Sequence, residues 1–233
     1  PRLVLTAGHC VCRGREDKDT TTLDSSTCEK FATVIAIAYA SPGQRPYIQR
    51  YTGVVRAHHD FKAILKKKKL LVPPDAAVEG STVEGEARYV VVDTVLESQA
   101  DLAVISLDKA AENRFPVTPP ARSVLRAKDP IVVVGYGADA VENGLVVFND
   151  NQPTRRFGKN TITLPGTEKF TIEPPGSLAL PGDSGGPCFR EDKRGLSLVG
   201  INSRSAPGRR ATFTSTYYYL EWLDAEIGRV TKL

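Results

Sequence analysis

The chain has 233 residues, 41% of them hydrophobic, with 19 glycines, 16 prolines and a formal net charge of +4. That length can bury a sizeable core in one large or two small β-barrels, and Val/Ile/Thr-rich runs with few long helical patterns read as mostly β. No apolar run approaches the ~20 residues that span a bilayer, which excludes a membrane-crossing helix in the chain shown; methionine is absent, so Pro1 is no translation start and any signal peptide or pro-segment lies upstream.

Taken in chain order, the first predicted strand is Leu3-Val4-Leu5-Thr6, running through Ala7 and Gly8 to His9 and Cys10. A β-rich run ending in small residues presents an imidazole to a cleft. The polar stretch Arg13 to Lys30 follows, in which Cys12 and Cys28 can bridge with Cys10 or with each other. His58 and His59 stand beside an arginine and a phenylalanine and read as surface-loop residues. The run Lys66-Lys67-Lys68-Lys69 adjoins the Pro/Gly/Glu-rich stretch Pro73 to Glu86; no aromatic interleaves for base stacking, so it reads as a solvated insertion and not as a nucleic-acid site.

Further along, Asp93 sits inside a strand pattern, whereas Asp101 leads Leu102-Ala103-Val104-Ile105-Ser106-Leu107, where a carboxylate can sit at a buried core edge. Ala111 to Ala121, with Pro116, Pro119 and Pro120, marks a connection between two halves. Val132 to Gly137 and Val199 to Ser203 read as strands. Cys188 reads as a buried free thiol. With no C-x₂-C pair among the four cysteines, no metal site is predicted, and no cofactor motif appears.

The richest signal is Gly182-Asp183-Ser184-Gly185-Gly186-Pro187. A serine hydroxyl becomes a nucleophile only beside a base, usually an imidazole oriented by a carboxylate. Flanking glycines let backbone N–H groups turn toward a reacting carbonyl. The same residues fit G-x-S-x-G, so the motif alone leaves two enzyme classes open. Chain order separates them. The elbow enzymes run Ser, acid, His, but His9, His58 and His59 all precede Ser184. The order Asp, His, Ser fails for His9, since the first aspartate is Asp17, and no motif supports it for His58 or His59. What remains is His9, Asp101, Ser184.

T-A-G-H-C, D-L-A-V and G-D-S-G-G-P, in this order, resemble the three signatures of the trypsin-like (chymotrypsin-fold) serine proteases. The likeness covers nearly the whole chain, with Tyr217 to Leu223 resembling the family's closing helix. It implies an all-β fold of two six-stranded antiparallel β-barrels, residues 1–115 and 116–233, followed by a C-terminal helix. The site would lie in the crevice between them, and several N-terminal strands are missing from the chain shown.

The resemblance also implies roles. Ser184 is the nucleophile, His9 the base, Asp101 its orienting acid, and the N–H groups of Gly182 and Ser184 the oxyanion hole. It places Leu178 at the base of the specificity pocket and Ser203, Arg204 and Ser205 along its edge, with Ala211 opposite. Trypsins carry an aspartate where Leu178 stands, so Arg/Lys specificity is not expected. A small-to-medium apolar residue before the cleaved bond is, with an acidic residue read by Arg204, Arg209 and Arg210 as the competing idea. In many members a freed N-terminal ammonium pairs with the residue matching Asp183; the chain shown supplies none, so either an upstream segment provides it or Asp183 is satisfied another way. The expected function is a serine endopeptidase acting on protein or peptide, secreted or periplasmic, and open to a protein regulator or inhibitor. The alternative is an inactive or latent homologue that binds without cutting.

Overall fold

The computed structural model describes residues 2–17, 19–38, 45–72, 82–84, 87–115, 117–142, 145–147, 154–192 and 195–231. Its first strands are β1 (Leu3–Thr6), β2 (Arg15–Asp17), β3 (Thr20–Asp24), β4 (Phe31–Ala38), β5 (Tyr47–Ala57), β6 (Lys62–Val72), β7 (Thr82–Glu84), β8 (Ala87–Gln99) and β9 (Ala103–Leu107). There follow β10 (Pro130–Gly135), β11 (Ala140–Glu142), β12 (Leu145–Val147), β13 (Arg156–Thr161), β14 (Lys169–Ile172), β15 (Pro187–Asp192), β16 (Gly195–Ala206) and β17 (Arg210–Ser215), and the helix α1 (Leu220–Val230) closes the chain. Pro1, Pro116 and all of Pro73 to Glu86 except 82–84 lie outside the described residues.

The mostly-β expectation with a closing helix holds. One six-stranded sheet forms in the second half, in the order β13-β10-β15-β16-β17-β14. Its interior is apolar because alternate residues of each strand point inward: Ile131, Val133, Phe170, Ile172, Val199 and Phe213 are buried together, with the Phe170 and Phe213 rings stacked at 5.2 Å. The connection predicted at Ala111 to Ala121 docks on this sheet, Ala121 N–H donating to the Leu198 carbonyl at 2.8 Å.

The first half is built differently from a six-stranded barrel. It forms a four-stranded sheet, β1-β9-β5-β4, and contributes most of a seven-stranded one, in which β11-β12-β6-β3-β2 is extended by β8 and β7. The cause is the length of β6 and β8, 11 and 13 residues, which pair along their whole extent as a ribbon. This ribbon also recruits the second half, since β12 pairs with β6 at Leu145 and Leu71. A sheet therefore crosses the 115/116 division expected from sequence.

The closing helix begins at Leu220, three residues later than the Tyr217 read from sequence. Leu223, Glu226 and Val230 form its buried stripe, the i, i+3, i+7 spacing of an amphipathic helix. It seats on the first half, Glu226 facing Arg56 at 3.7 Å. There it covers His58. This corrects the surface-loop reading: His58 is buried, edge-on to Tyr219 and Trp222 at 4.9 and 5.1 Å, because the aromatic face of the helix supplies an apolar lid that local sequence does not reveal. His59 alone is exposed.

Candidate active site

Four segments distant in sequence converge on one apolar cluster: Ala7, Ala100, Leu102, Ile201 and Tyr219, all buried. Ala7 precedes His9 by two residues, Ala100 and Leu102 flank Asp101, and Ile201 precedes Ser203 by two. Fully burying a side chain such as Leu102 or Ile201 stabilises by roughly 1.5–3 kcal/mol. The cluster thus fixes the polar residues above it.

His9 lies just past β1, in a single 3-10 turn, Gly8–Cys10. Asp101 is at the centre of a three-residue turn closed by Leu102 N–H to the Ala100 carbonyl at 2.7 Å. Ala100 takes φ 43°, a left-handed conformation costing an L-residue about 1–2 kcal/mol, and this turns the carboxylate back under His9. Asp101 is completely buried. A lone buried charge would be untenable, but this one accepts from His9 Nδ1 at 2.8 Å, from the His9 backbone N–H at 2.9 Å and from Ser203 Oγ at 2.5 Å. Burial works against ionisation of Asp101, but the His9 ring and these hydrogen bonds outweigh it and hold the carboxyl below its usual range. For His9, burial lowers the pKa, while the Asp101 charge and hydrogen bond, with a smaller contribution from Cys10, more than reverse this and raise it. Asp93, the rival carboxylate, sits opposite Lys67 on β8, so Asp101 is the partner of His9.

The turn that carries Ser184 reaches the end of β1 through its glycine neighbour. Gly185, at φ +75°, packs so tightly on the β1 end that a side chain there would strike Thr6 Oγ1 and approach Cys10 Sγ to 3.2 Å. Gly182 has φ +93° and abuts the Gly137 backbone. Both glycines are therefore required by the turn and by close approach. Among the described residues, neither the Gly182 nor the Ser184 N–H has an acceptor, and Ser184 Oγ has no hydrogen-bond partner. His9 Nε2 faces Cys10 Sγ at 3.7 Å and makes no hydrogen bond with Ser184. Asp101 and His9 are joined here; Ser184 makes no hydrogen bond with His9, and the link between them is Gly185, which lies against Thr6 and Cys10 on either side of His9.

Asp183 is held by two backbone N–H groups. Its Oδ1 accepts from Gly137 N–H and its Oδ2 from Leu180 N–H, both at 2.8 Å. Burial pushes its carboxyl up, opposed by these two N–H groups and by Arg156.

A cleft of about 190 Å³ opens between the β6–β8 ribbon and the end of β16, lined among others by Lys68, Leu96, Gly182, Ser184, Ser203, Arg204 and Ser205. Leu178 lies elsewhere, in a second cavity of about 160 Å³ behind Asp183, packed against the second-half core. Ala211, opposite Ser205 on β17, is buried in that core. Ser98, not singled out from sequence, touches Ser203 Oγ at 3.0 Å through its own hydroxyl; nothing in its local pattern marks it.

Cys12 and Cys28 form a disulfide, and Cys10 and Cys188 are free. Burial pushes the Cys188 thiol up, leaving it inert. His58, His59 and Asp60 bring potential ligand atoms within 4.8 Å of one another. However, His58 Nδ1 accepts from Asp60 N–H at 3.2 Å, which in the neutral ring puts the proton on Nε2. That ring offers no free lone pair to a cation.

A mostly-β architecture of three sheets with one C-terminal helix, carrying an aspartate-held imidazole and a glycine-framed serine, defines a serine-protease-like class of protein. The trypsin family's sequence model matches residues 51–223, and the chain belongs to that family. It is 30% identical to Chymotrypsin-2 of Vespa crabro over 117 residues, 47% of this chain and 52% of that protein; the chain thus matches about half the length of this curated relative. A solved mutant of human heparin binding protein superposes with a TM-score of 0.58 at 16% identity, covering 97% of this chain and 82% of the other, a likeness of fold.

Proposed function

We propose that this chain is a serine endopeptidase. The observation that carries the reading is the buried Asp101–His9 pair, with its 2.8 Å Nδ1 contact, beside a serine whose hydroxyl is uncommitted. In this reading Ser184 Oγ attacks a peptide carbonyl as His9 Nε2 takes its proton. His9 then protonates the leaving amine, and water repeats the sequence on the acyl-enzyme. Asp101 fixes the tautomer with the proton on Nδ1 and stabilises the imidazolium. The uncommitted N–H groups of Gly182 and Ser184 receive the oxyanion, a role worth about 3 kcal/mol per donor in related chemistry. Bonding between His9 and Ser184 tightens when substrate arrives, as catalytic contacts commonly do.

Substrate lies along the free edge of Ser203 to Ala206. Beyond Asn202 this part of β16 pairs on one side only, with β17, and an open edge accepts an extended chain. Lys68 and Arg204 in the cleft oppose a cationic side chain, which supports the expectation of no Arg/Lys preference. With Leu178 outside the cleft, an apolar residue before the cleaved bond rests on the small size of Ser203 and Ser205. The disulfide supports residence outside the cytosol, secreted or periplasmic. No described helix is long and apolar enough to cross a membrane.

The second reading is a latent or inactive homologue that binds protein. It is favoured by His9 Nε2 facing Cys10 and not Ser184. A fluorophosphonate probe decides between them: rapid labelling of the wild-type chain, abolished by Ser184→Ala, is expected of the enzyme. A folded protein that neither labels nor hydrolyses casein refutes it.

A further inference from the structure

The four-lysine run is not one uniform basic patch. Side chains alternate across a strand, and β6 sorts its lysines accordingly. Lys67 and Lys69 share one face, where they pair with Glu16 at 2.9 Å and Glu84 at 2.8 Å. Lys68 lies on the opposite face with its cross-strand partner Val92 and with Leu70. That face meets the second half, Leu70, Val90 and Val92 packing with Ala138 and Leu180. Lys68 therefore projects into the cleft that holds Ser184, and among the described residues it has no carboxylate partner. The one carboxylate residue among the described cleft lining, Asp93, stands opposite Lys67 in the ribbon register, a position whose side chain belongs to the outer face.

Arg204 is the second cation. It leaves β16 and reaches across to the Leu96 carbonyl of β8, using one of its five donors. The others have no partner among the described residues. Two cations from opposite walls thus border the free edge of Ser203 to Ala206. Four residues of extended chain cover about 13 Å, so a peptide along this edge carries residues upstream of the scissile bond past Arg204 and then Lys68.

We propose that the β6–β8 ribbon makes this cleft selective for acidic side chains, Asp or Glu, two to four residues before the scissile bond, read by Lys68 and Arg204. The proposal rests on the peptidase reading for the direction of the bound chain, and it assigns the inserted ribbon a function: it supplies half of the recognition site.

The test is binding to the full chain carrying Ser184→Ala, so that nothing is cut. Two fluorescent peptides, identical except for Glu-Glu or Lys-Lys at the third and fourth positions before the intended bond, are titrated by anisotropy at low salt. A single exposed charge pair is worth up to about fivefold; we expect the Glu peptide to bind at least fivefold tighter, and the advantage to shrink in high salt. Adding Lys68→Glu abolishes or inverts the preference, while Lys67→Glu, on the outer face, preserves it. Equal binding of the two peptides, binding of neither, or a preference that ignores Lys68→Glu in a folded variant overturns the proposal. A wild-type chain that discriminates the peptides yet fails to label with fluorophosphonate overturns the peptidase reading instead.

Discussion

Asp101 grips His9 at two points, its Oδ2 accepting from the ring Nδ1 at 2.8 Å and its Oδ1 from the backbone N–H of the same residue at 2.9 Å. One carboxylate thereby sets the orientation of the ring and the position of the backbone beneath it. Loss of the carboxylate frees both, so Asp101→Asn is expected to cut turnover by about 10⁴-fold through the wrong tautomer, with much of the fold retained. Peptide hydrolysis and circular dichroism on the same sample check this.

The pair also sets a pH dependence whose two parts oppose each other. His9 has a raised pKa, so its stabilising contribution is full below its ordinary 6.5 and is lost as pH rises through the folded value. Asp101 has a lowered one, so its contribution is present above 3.8 and lost as pH falls through the folded value. The pair therefore stabilises most between those limits, whereas catalysis needs neutral His9. The acidic limb of kcat/KM should lie above pH 6.5, alkaline of the region where the pair stabilises most. Parallel melting and rate profiles measure the separation.

Ser203 gives Asp101 its third hydrogen bond, at 2.5 Å. Ser203→Ala leaves a buried carboxylate one donor short, a cost of about 1–3 kcal/mol. Chemical denaturation should register that loss, and kcat should fall about tenfold as the His9–Asp101 geometry loosens.

Gly185→Ala tests the close approach of the nucleophile turn. The left-handed backbone alone costs about 1–2 kcal/mol, and the added methyl meets Thr6 and Cys10. Fluorophosphonate labelling should slow more than a hundredfold, while a change at Gly208, which has open space around it at φ +71°, leaves labelling intact.

The Cys12–Cys28 bridge spans 16 positions, and closing a loop of that size contributes about 3 kcal/mol in the chain-entropy view. Cys12→Ala with Cys28→Ala should lower stability by about that amount. The wild type should lose it equally under a reductant.

Much of this was legible in sequence because chemistry was concentrated in short motifs. Residue type, glycine context and chain order single out His9, Asp101 and Ser184; the structure bonds the first two and sets Gly185, next to Ser184, against the β1 end that leads to His9. The Cys12–Cys28 bridge is one of the pairings that the sequence allows. What sequence concealed depends on packing between distant elements. His58 looks solvated until α1 covers it. The lysine run looks like a single patch until strand alternation divides it. The family likeness puts Leu178 at the base of the specificity pocket, whereas the structure lines a separate cavity with it, beside Asp183. Ser98 is one hydroxyl among many, and only the approach of β8 to β16 gives it meaning.

Trp222 is the sole tryptophan of the chain, and it is the residue that rests on His58 from α1. An indole beside an imidazole changes its emission when that imidazole gains a proton or the two separate. The molecule therefore carries an internal optical gauge of whether its last segment is seated, readable in the unlabelled protein.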